Sequence, residues 1–155
     1  MDSNIQLQGL EELAPSECLA RLTAGRVGRV GFIVSGRPQV LPVNYAVDDD
    51  GTVVFRTTAQ SILTRIAEQA VVFEVDGFDE GHKSGWSVCV HGFAREITDA
   101  DDSSAVRLHT SSLISWAPGA RDRWFAITAH ELTGRRIPVA ATAHDFGGWT
   151  PGVVS

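Results

Sequence analysis

Residues 26–57 read RVGRVGFIVSGRPQVLPVNYAVDDDGTVVFRT, and this stretch decides the fold. Arg26–Val34 and Gln39–Val47 are rich in β-branched residues and close to alternating, the pattern of strands with one buried face. Ser35-Gly36-Arg37-Pro38 between them supplies turn chemistry, so the pair reads as a β-hairpin. Pro42 has no N–H to give a ladder; the second strand is therefore an edge at that point or carries a bulge. Asp48-Asp49-Asp50-Gly51 makes a further turn, and Thr52–Thr57 returns antiparallel as a third strand.

Working outward, Ala14–Leu22 carries apolar residues at helical spacing behind Pro15 and Ser16, which predicts one short helix before the hairpin. Ser61–Gln69 predicts a second helix, with Ile62, Leu63 and Ile66 on one face. Ala70–Asp76 then forms a fourth strand, and Gly77–Gly85 is a polar, glycine-rich loop. Trp86–Ile97 is a long fifth strand with a bend or close backbone approach near Gly92. Asp99–Trp116 reads as a helix and Arg123–Ala129 as a sixth strand. The expected class is mainly β with short helices, a six-stranded antiparallel barrel; periodicity leaves a sandwich open as the alternative. One domain spans residues 1–138, and residues 139–155 form a tail whose Trp149 invites burial against a partner subunit.

The 155 residues carry 13 Lys+Arg against 19 Asp+Glu, a net charge of −6. That balance argues against nucleic acid and anionic membrane surfaces as partners, since both are held by dense basic charge. No run of about 18 apolar residues suggests a membrane span, and Met1–Glu12 lacks the pattern of a signal peptide. Two cysteines, Cys18 and Cys89, fit a reducing compartment, so a cytoplasmic location is expected. Lysine occurs only at Lys83, so cation chemistry here is arginine chemistry.

Chemistry concentrates between Val53 and Gln69. Arg56 offers a forked donor, Thr57, Thr58 and Ser61 offer hydroxyls, and a helix start adds unpaired amides, an arrangement that can hold a phosphate. The same residues also suit a helix cap at Ser61 and a solvated strand face at Arg56, and both readings stay open. Asn44 lies among apolar neighbours and needs a hydrogen-bond partner, either a heteroaromatic ring or backbone left unpaired by Pro42. Cys89 and His91 share a strand face, yet no further ligand stands at metal spacing, so no metal is expected and a buried inert thiol is the default. The G-x-S-x-G, G-x-x-x-x-G-K-[ST] and G-x-G-x-x-G patterns are missing, and Lys83 has no apolar shell to activate it.

Three runs together, residues 25–66, residues 71–97 and TGRRIP at 133–138, resemble the pyridoxamine 5′-phosphate oxidase-like family of FMN-binding split β-barrels. The specific pieces are Pro42-Val43-Asn44-Tyr45, Phe55-Arg56-Thr57, Gly85-Trp86-Ser87-Val88 with Gly92, and Gly134-Arg135-Arg136-Ile137, within a resemblance covering Leu13–Pro138. The resemblance implies a six-stranded Greek-key split barrel that is a homodimer, with FMN in two clefts at the subunit interface. It further implies that Leu41, Pro42, Val43 and Asn44 lie along the flavin ring, and that Arg56, Thr57 and Ser61 approach its phosphate. Trp86, Ser87 and Val88 would line the same cleft, from this subunit or its partner. Ile62 stands where family members that hold FMN tightly usually carry a lysine. Losing that charged hydrogen bond costs about 1.5–3 kcal/mol.

The expected activity is that of an FMN-dependent oxidoreductase on a small molecule, with NAD(P)H as the reductant. Nothing in the sequence names a catalytic residue. Vitamin B6 oxidation is not expected, because the basic pocket for a substrate phosphate is not recognisable beyond Arg135 and Arg136. The alternative is a dimer that binds flavin, a deazaflavin or haem without turnover, or a scaffold that has lost tight FMN binding.

Overall fold

The computed structural model describes residues 9–98 and 123–139. Its elements are β1 (Glu11–Glu12), α1 (Pro15–Ala24), β2 (Val27–Val34), β3 (Arg37–Val47), β4 (Val53–Thr57), a 3-10 helix (Ile62–Ile66), β5 (Gln69–Asp79), β6 (Ser84–Ile97) and β7 (Arg123–Ile137). The expected helix over Asp99–Trp116 and the tail from residue 140, with Trp149, lie outside the described residues.

Six strands close into a ring in the order β7–β4–β3–β2–β5–β6 and back to β7, and β1 adds to β7 at the side. Every pairing is antiparallel. Strands β2, β3 and β4 form a meander, and β5 returns to lie beside β2, which is Greek-key order. The expected six-stranded Greek-key barrel is therefore the observed one. Strand alternation fills it: Val30, Tyr45, Phe55, Phe73, Val90 and Phe125 point inward. Tyr45 and Phe73 meet edge to face at 4.8 Å, and Phe55 stacks on Phe125 at 5.8 Å. Cys18 and Leu22 of α1 close one end, where the Tyr45 hydroxyl donates to the Leu22 carbonyl; Leu63 and Ile66 of the 3-10 helix close the other.

Three elements differ from expectation, the first being the loop expected over Gly77–Gly85, which shortens to residues 80–83 because β5 runs on to Asp79 and β6 begins at Ser84. The helix predicted over Ser61–Gln69 is a five-residue 3-10 helix, because β-branched Ile62, Thr64 and Ile66 crowd an α-turn and Glu68 turns the chain at φ 59°. Strand β7 continues past Ala129 to Ile137, since its polar residues face outward while Leu132 and Gly134 keep the inward alternation. No helix among the described residues is long and apolar enough to cross a membrane.

The bend expected at Gly92 is a register shift between His91 and Gly92 in the β6–β7 ladder. A Cβ on Gly92 would stand 2.4 Å from the Thr128 carbonyl oxygen, a backbone atom that cannot swing away. Gly92→Ala should therefore destabilise the fold by about 1–3 kcal/mol, read by equilibrium denaturation. Parent-like stability would show that the bulge does not constrain this position.

Candidate functional site

Arg56 sits on the outer face of β4, directly across from Trp124 of β7, with its guanidinium carbon 5.4 Å from the indole centroid. Its Nε is buried and has no hydrogen-bond partner among the described residues. An unmet buried donor costs about 1–3 kcal/mol, so the corner is poised for an acceptor. Thr57 follows at 2% exposure, and Thr58 accepts a backbone hydrogen bond from Ser61. The Ser61 hydroxyl oxygen accepts from the Leu63 N–H at 3.2 Å, which confirms the capping role while leaving the hydroxyl hydrogen able to donate. Five residues of 3-10 helix add little dipole, so Arg56 and the hydroxyls carry the positive character of this corner. Ile62 is 38% exposed beside them.

Arg123, paired across from Thr57, sits next to this corner with its Nη2 donating to Glu96 at 2.7 Å and its Nε also donating to that carboxylate. Those hydrogen bonds hold the Glu96 carboxyl below its ordinary range against a smaller opposing effect of burial.

Strand β3 supplies an open edge. It pairs with β2 from Arg37 to Asn44, but with β4 only at Tyr45–Val47. The Tyr45 N–H donates to the Arg26 carbonyl at 3.1 Å, so odd-numbered residues of β3 direct backbone groups toward β2 and even-numbered residues direct them away. The Val40 N–H and the carbonyls of Pro38, Val40 and Pro42 consequently face the open edge. This is the edge that Pro42 predicts. Pro42 and Asn44 present side chains outward, and the Asn44 amide donates to the Arg26 carbonyl at 3.5 Å. Leu41 leans on the core, Val43 is buried in it, and the backbone groups of both are directed to β2, so neither presents a side chain or a free backbone group at the open edge.

Trp86 and Ser87 lie elsewhere. Trp86 pairs with Arg136, whereas Trp124, across from Arg56, pairs with Ile97. From 86 to 97 is eleven steps along β6, about 35 Å of extended strand. One chain thus does not bring the Trp86 and Arg56 groups together. Val88 is 0% exposed, a core side chain that cannot line a cleft. Around Trp86 lies a cavity of about 570 Å³ that reaches Arg21, Asp79 and Ser84, and another of about 340 Å³ reaches Asp76, Ser87 and Arg135, which alternate to the opposite face of the same strands. The Arg21 guanidinium covers the indole at 4.8 Å. A separate apolar groove of about 520 Å³ runs over the outer face past Gly31, Ile33, Val40, Val72, His91 and His130.

Cys89 is half-buried, and burial first, then the Glu74 carboxylate, pushes its thiol up, which disfavours a nucleophilic thiolate. Among the described residues no group of three His, Cys, Asp or Glu side chains gathers. Sequence reasoning missed Trp124 and Arg123; the register that sets them against Arg56 and Thr57 has no signature in residue spacing.

A family described as pyridoxamine 5′-phosphate oxidase matches residues 14–136. The chain is 36% identical over 132 residues to an uncharacterized protein of Mycobacterium tuberculosis, covering 81% of this chain and 84% of that one. It is similar to the structure of an FAD-binding protein from Mycobacterium smegmatis, with TM-score 0.67 and 28% identity over 81% of this chain and 97% of that one. An FAD-binding protein from Mesorhizobium loti superposes with TM-score 0.70 and 27% identity, over 82% of this chain and 96% of its own.

The Glu96–Arg123 pair predicts a pH signature. Because its folded pKa is depressed, Glu96 contributes stability above the ordinary carboxylate range, and that contribution is lost as pH falls through the folded value. Glu96→Gln should be less stable than the parent by about 0.2–1 kcal/mol at pH 7. Denaturation at successively lower pH should show the gap closing below pH ~4. A gap that does not change with pH would mean that the charge of Glu96 contributes nothing.

Proposed function

The chain belongs to the pyridoxamine 5′-phosphate oxidase family, and on that footing we propose that it is a homodimeric, FMN-dependent oxidoreductase acting on a small molecule with NAD(P)H as reductant. The observation that supports the reading is the buried Nε of Arg56, which has no hydrogen-bond partner among the described residues and stands near Ser61 as a donor suited to an anion. When bound, the isoalloxazine ring supplies hydride and electron transfer; the protein supplies placement and electrostatics.

Each part of the chain has a task in this reading. Arg56 donates to the phosphate and the Ser61 hydroxyl to another of its oxygens, while Thr57, at 2% exposure on the inward face of β4, contributes no side-chain contact. The open edge of β3 from Val40 to Asn44 meets the polar edge of the ring with backbone groups, so the ring is oriented without a dedicated side chain. Trp86 and Ser87 of a second copy close the cleft, which answers their placement eleven residues away along β6 from the pair that faces the Arg56 corner. The outer groove, with Ile33 and Val40 exposed, is the surface the second copy covers; Val40 is 67% exposed.

FAD is a second reading, favoured by the two similar FAD-binding structures and by Ile62, which offers an apolar contact where a lysine would grip a terminal phosphate. Titrating the purified protein with FMN, FAD and riboflavin separates the readings. Arg56→Met should weaken FMN by about 10–100-fold and Ile62→Lys should tighten it, while riboflavin, lacking the phosphate, responds to neither. The ligand-free Arg56→Met protein should keep parent stability, because the lost ring contact is offset by removal of an unmet donor. Equal losses for FMN and riboflavin would place the phosphate elsewhere.

Val40→Asp should convert the dimer to monomer, read by light scattering. A dimer that survives this change would remove the proposed interface.

A further inference from the structure

Strand alternation puts Gly77, Asp79, Ser84, Trp86 and Arg136 on one face of the ends of β5, β6 and β7, and Arg21 of α1 joins them around the hollow of about 570 Å³. Trp86 is held there at two places. Gly77 stands directly across from it, and a Cβ on Gly77 would come within 2.7 Å of the indole Nε1 and 3.0 Å of Cζ2, so that edge of the ring rests on bare backbone. The Arg21 guanidinium covers the ring with its carbon 4.8 Å from the centroid, within the range of a cation–π contact.

Arg21 is itself tied in place. Its Nη2 donates to a Glu17 carboxylate oxygen at 3.1 Å, one turn earlier on α1, and the same oxygen lies 3.6 Å from the Arg136 Nη1. The Arg136 Nε in turn donates to Glu11 at 2.6 Å. Arg136 pairs with Trp86 on one side and with Glu11 of β1 on the other. Four charges of alternating sign, from α1, β7 and β1, thus converge on one indole; matched in this way they suit holding a ring and leave no excess with which to draw an anion. The Arg21 Nε is buried and finds no acceptor among the described residues. An arginine free to choose would turn that donor to water, so the ring and Glu17 set its position.

We propose that Arg21 is a positioning residue, which fixes the Trp86 indole in the orientation that one copy presents to the Arg56 corner of the other. The clamp stands on the contacts within one chain; its use in the cleft rests on the flavin reading. Helix α1 caps the core with Cys18 and Leu22 and turns Arg21 to this second task.

Fluorine NMR of the whole chain carrying 5-fluorotryptophan reads the clamp without any ligand, the Trp86 signal being identified by its loss in Trp86→Phe. Arg21→Met should move that signal and leave the Trp124 signal in place. Gly77→Ala, which pushes the ring from its other contact, should move it too, and Arg21→Lys, which keeps a cation for the ring, should bring it part of the way back. Titration with FMN reads the use. Arg21→Met should weaken FMN by about two- to fivefold, and should have no further effect in the Trp86→Ala protein. The proposal is overturned if Arg21→Met leaves the Trp86 signal where it was, or leaves FMN affinity unchanged when Trp86→Ala weakens it. It is overturned equally if Arg21→Met weakens FMN by the same factor with and without Trp86, the pattern of a residue that only supports the fold. If the parent protein binds no FMN, or binds it with no regard to Trp86→Ala, the flavin reading fails instead, and the moved Trp86 signal still supports the clamp.

Discussion

Thirteen consecutive pairs, from Gly85–Ile137 to Ile97–Trp124, lock β6 against β7, and the rest of the molecule is hung on that ladder. A ladder this long cannot be straight and also close a small barrel. The register shift at Gly92 supplies the bend, and the missing side chain there lets the two backbones stay in contact. The same length holds Arg56 and Trp86 at opposite ends. A ligand long enough to need both must bridge two molecules or be assembled from two halves.

Much of this architecture was legible because alternation is a local signal. The hairpin from Arg26 to Val47, the turn at Asp48–Gly51 and the bend at Gly92 all lie where β-branched runs, turn residues and an isolated glycine put them. Pro42 foretold an edge or a bulge because a residue without an N–H cannot donate to a ladder, and the pairing shows the edge. The 3-10 helix was less visible, since apolar spacing at Ile62, Leu63 and Ile66 suits an α-helix equally until the crowding of branched side chains is counted. The far half of β7 was hidden for a different reason: His130, Glu131, Thr133 and Arg135 all face water, and the alternation survives only through Leu132 and Gly134.

The site was legible as a set of residue types and illegible as a place. Arg56, Thr57 and Ser61 are close in sequence and stay close in space. Trp124 and Arg123, which complete their surroundings, arrive from the end of the chain through a β4–β7 register that spacing does not encode. Trp86 and Ser87 show the converse, residues linked to Arg56 by family resemblance and separated from it by the length of a strand. Val43 and Val88 lie within runs that family resemblance assigns to a flavin cleft, yet strand alternation turns their side chains to the core.

The unpaired stretch of β3 has a bearing on solubility. An exposed strand edge normally recruits any passing strand and so seeds ordered aggregates. Here Pro38 and Pro42 both turn their nitrogens to the open side, since β2 takes the odd-numbered backbone groups. A foreign peptide would meet gaps at every second rung and find no continuous zipper. The edge therefore rejects polymerising chains while still admitting a compact planar guest that needs only one or two rungs.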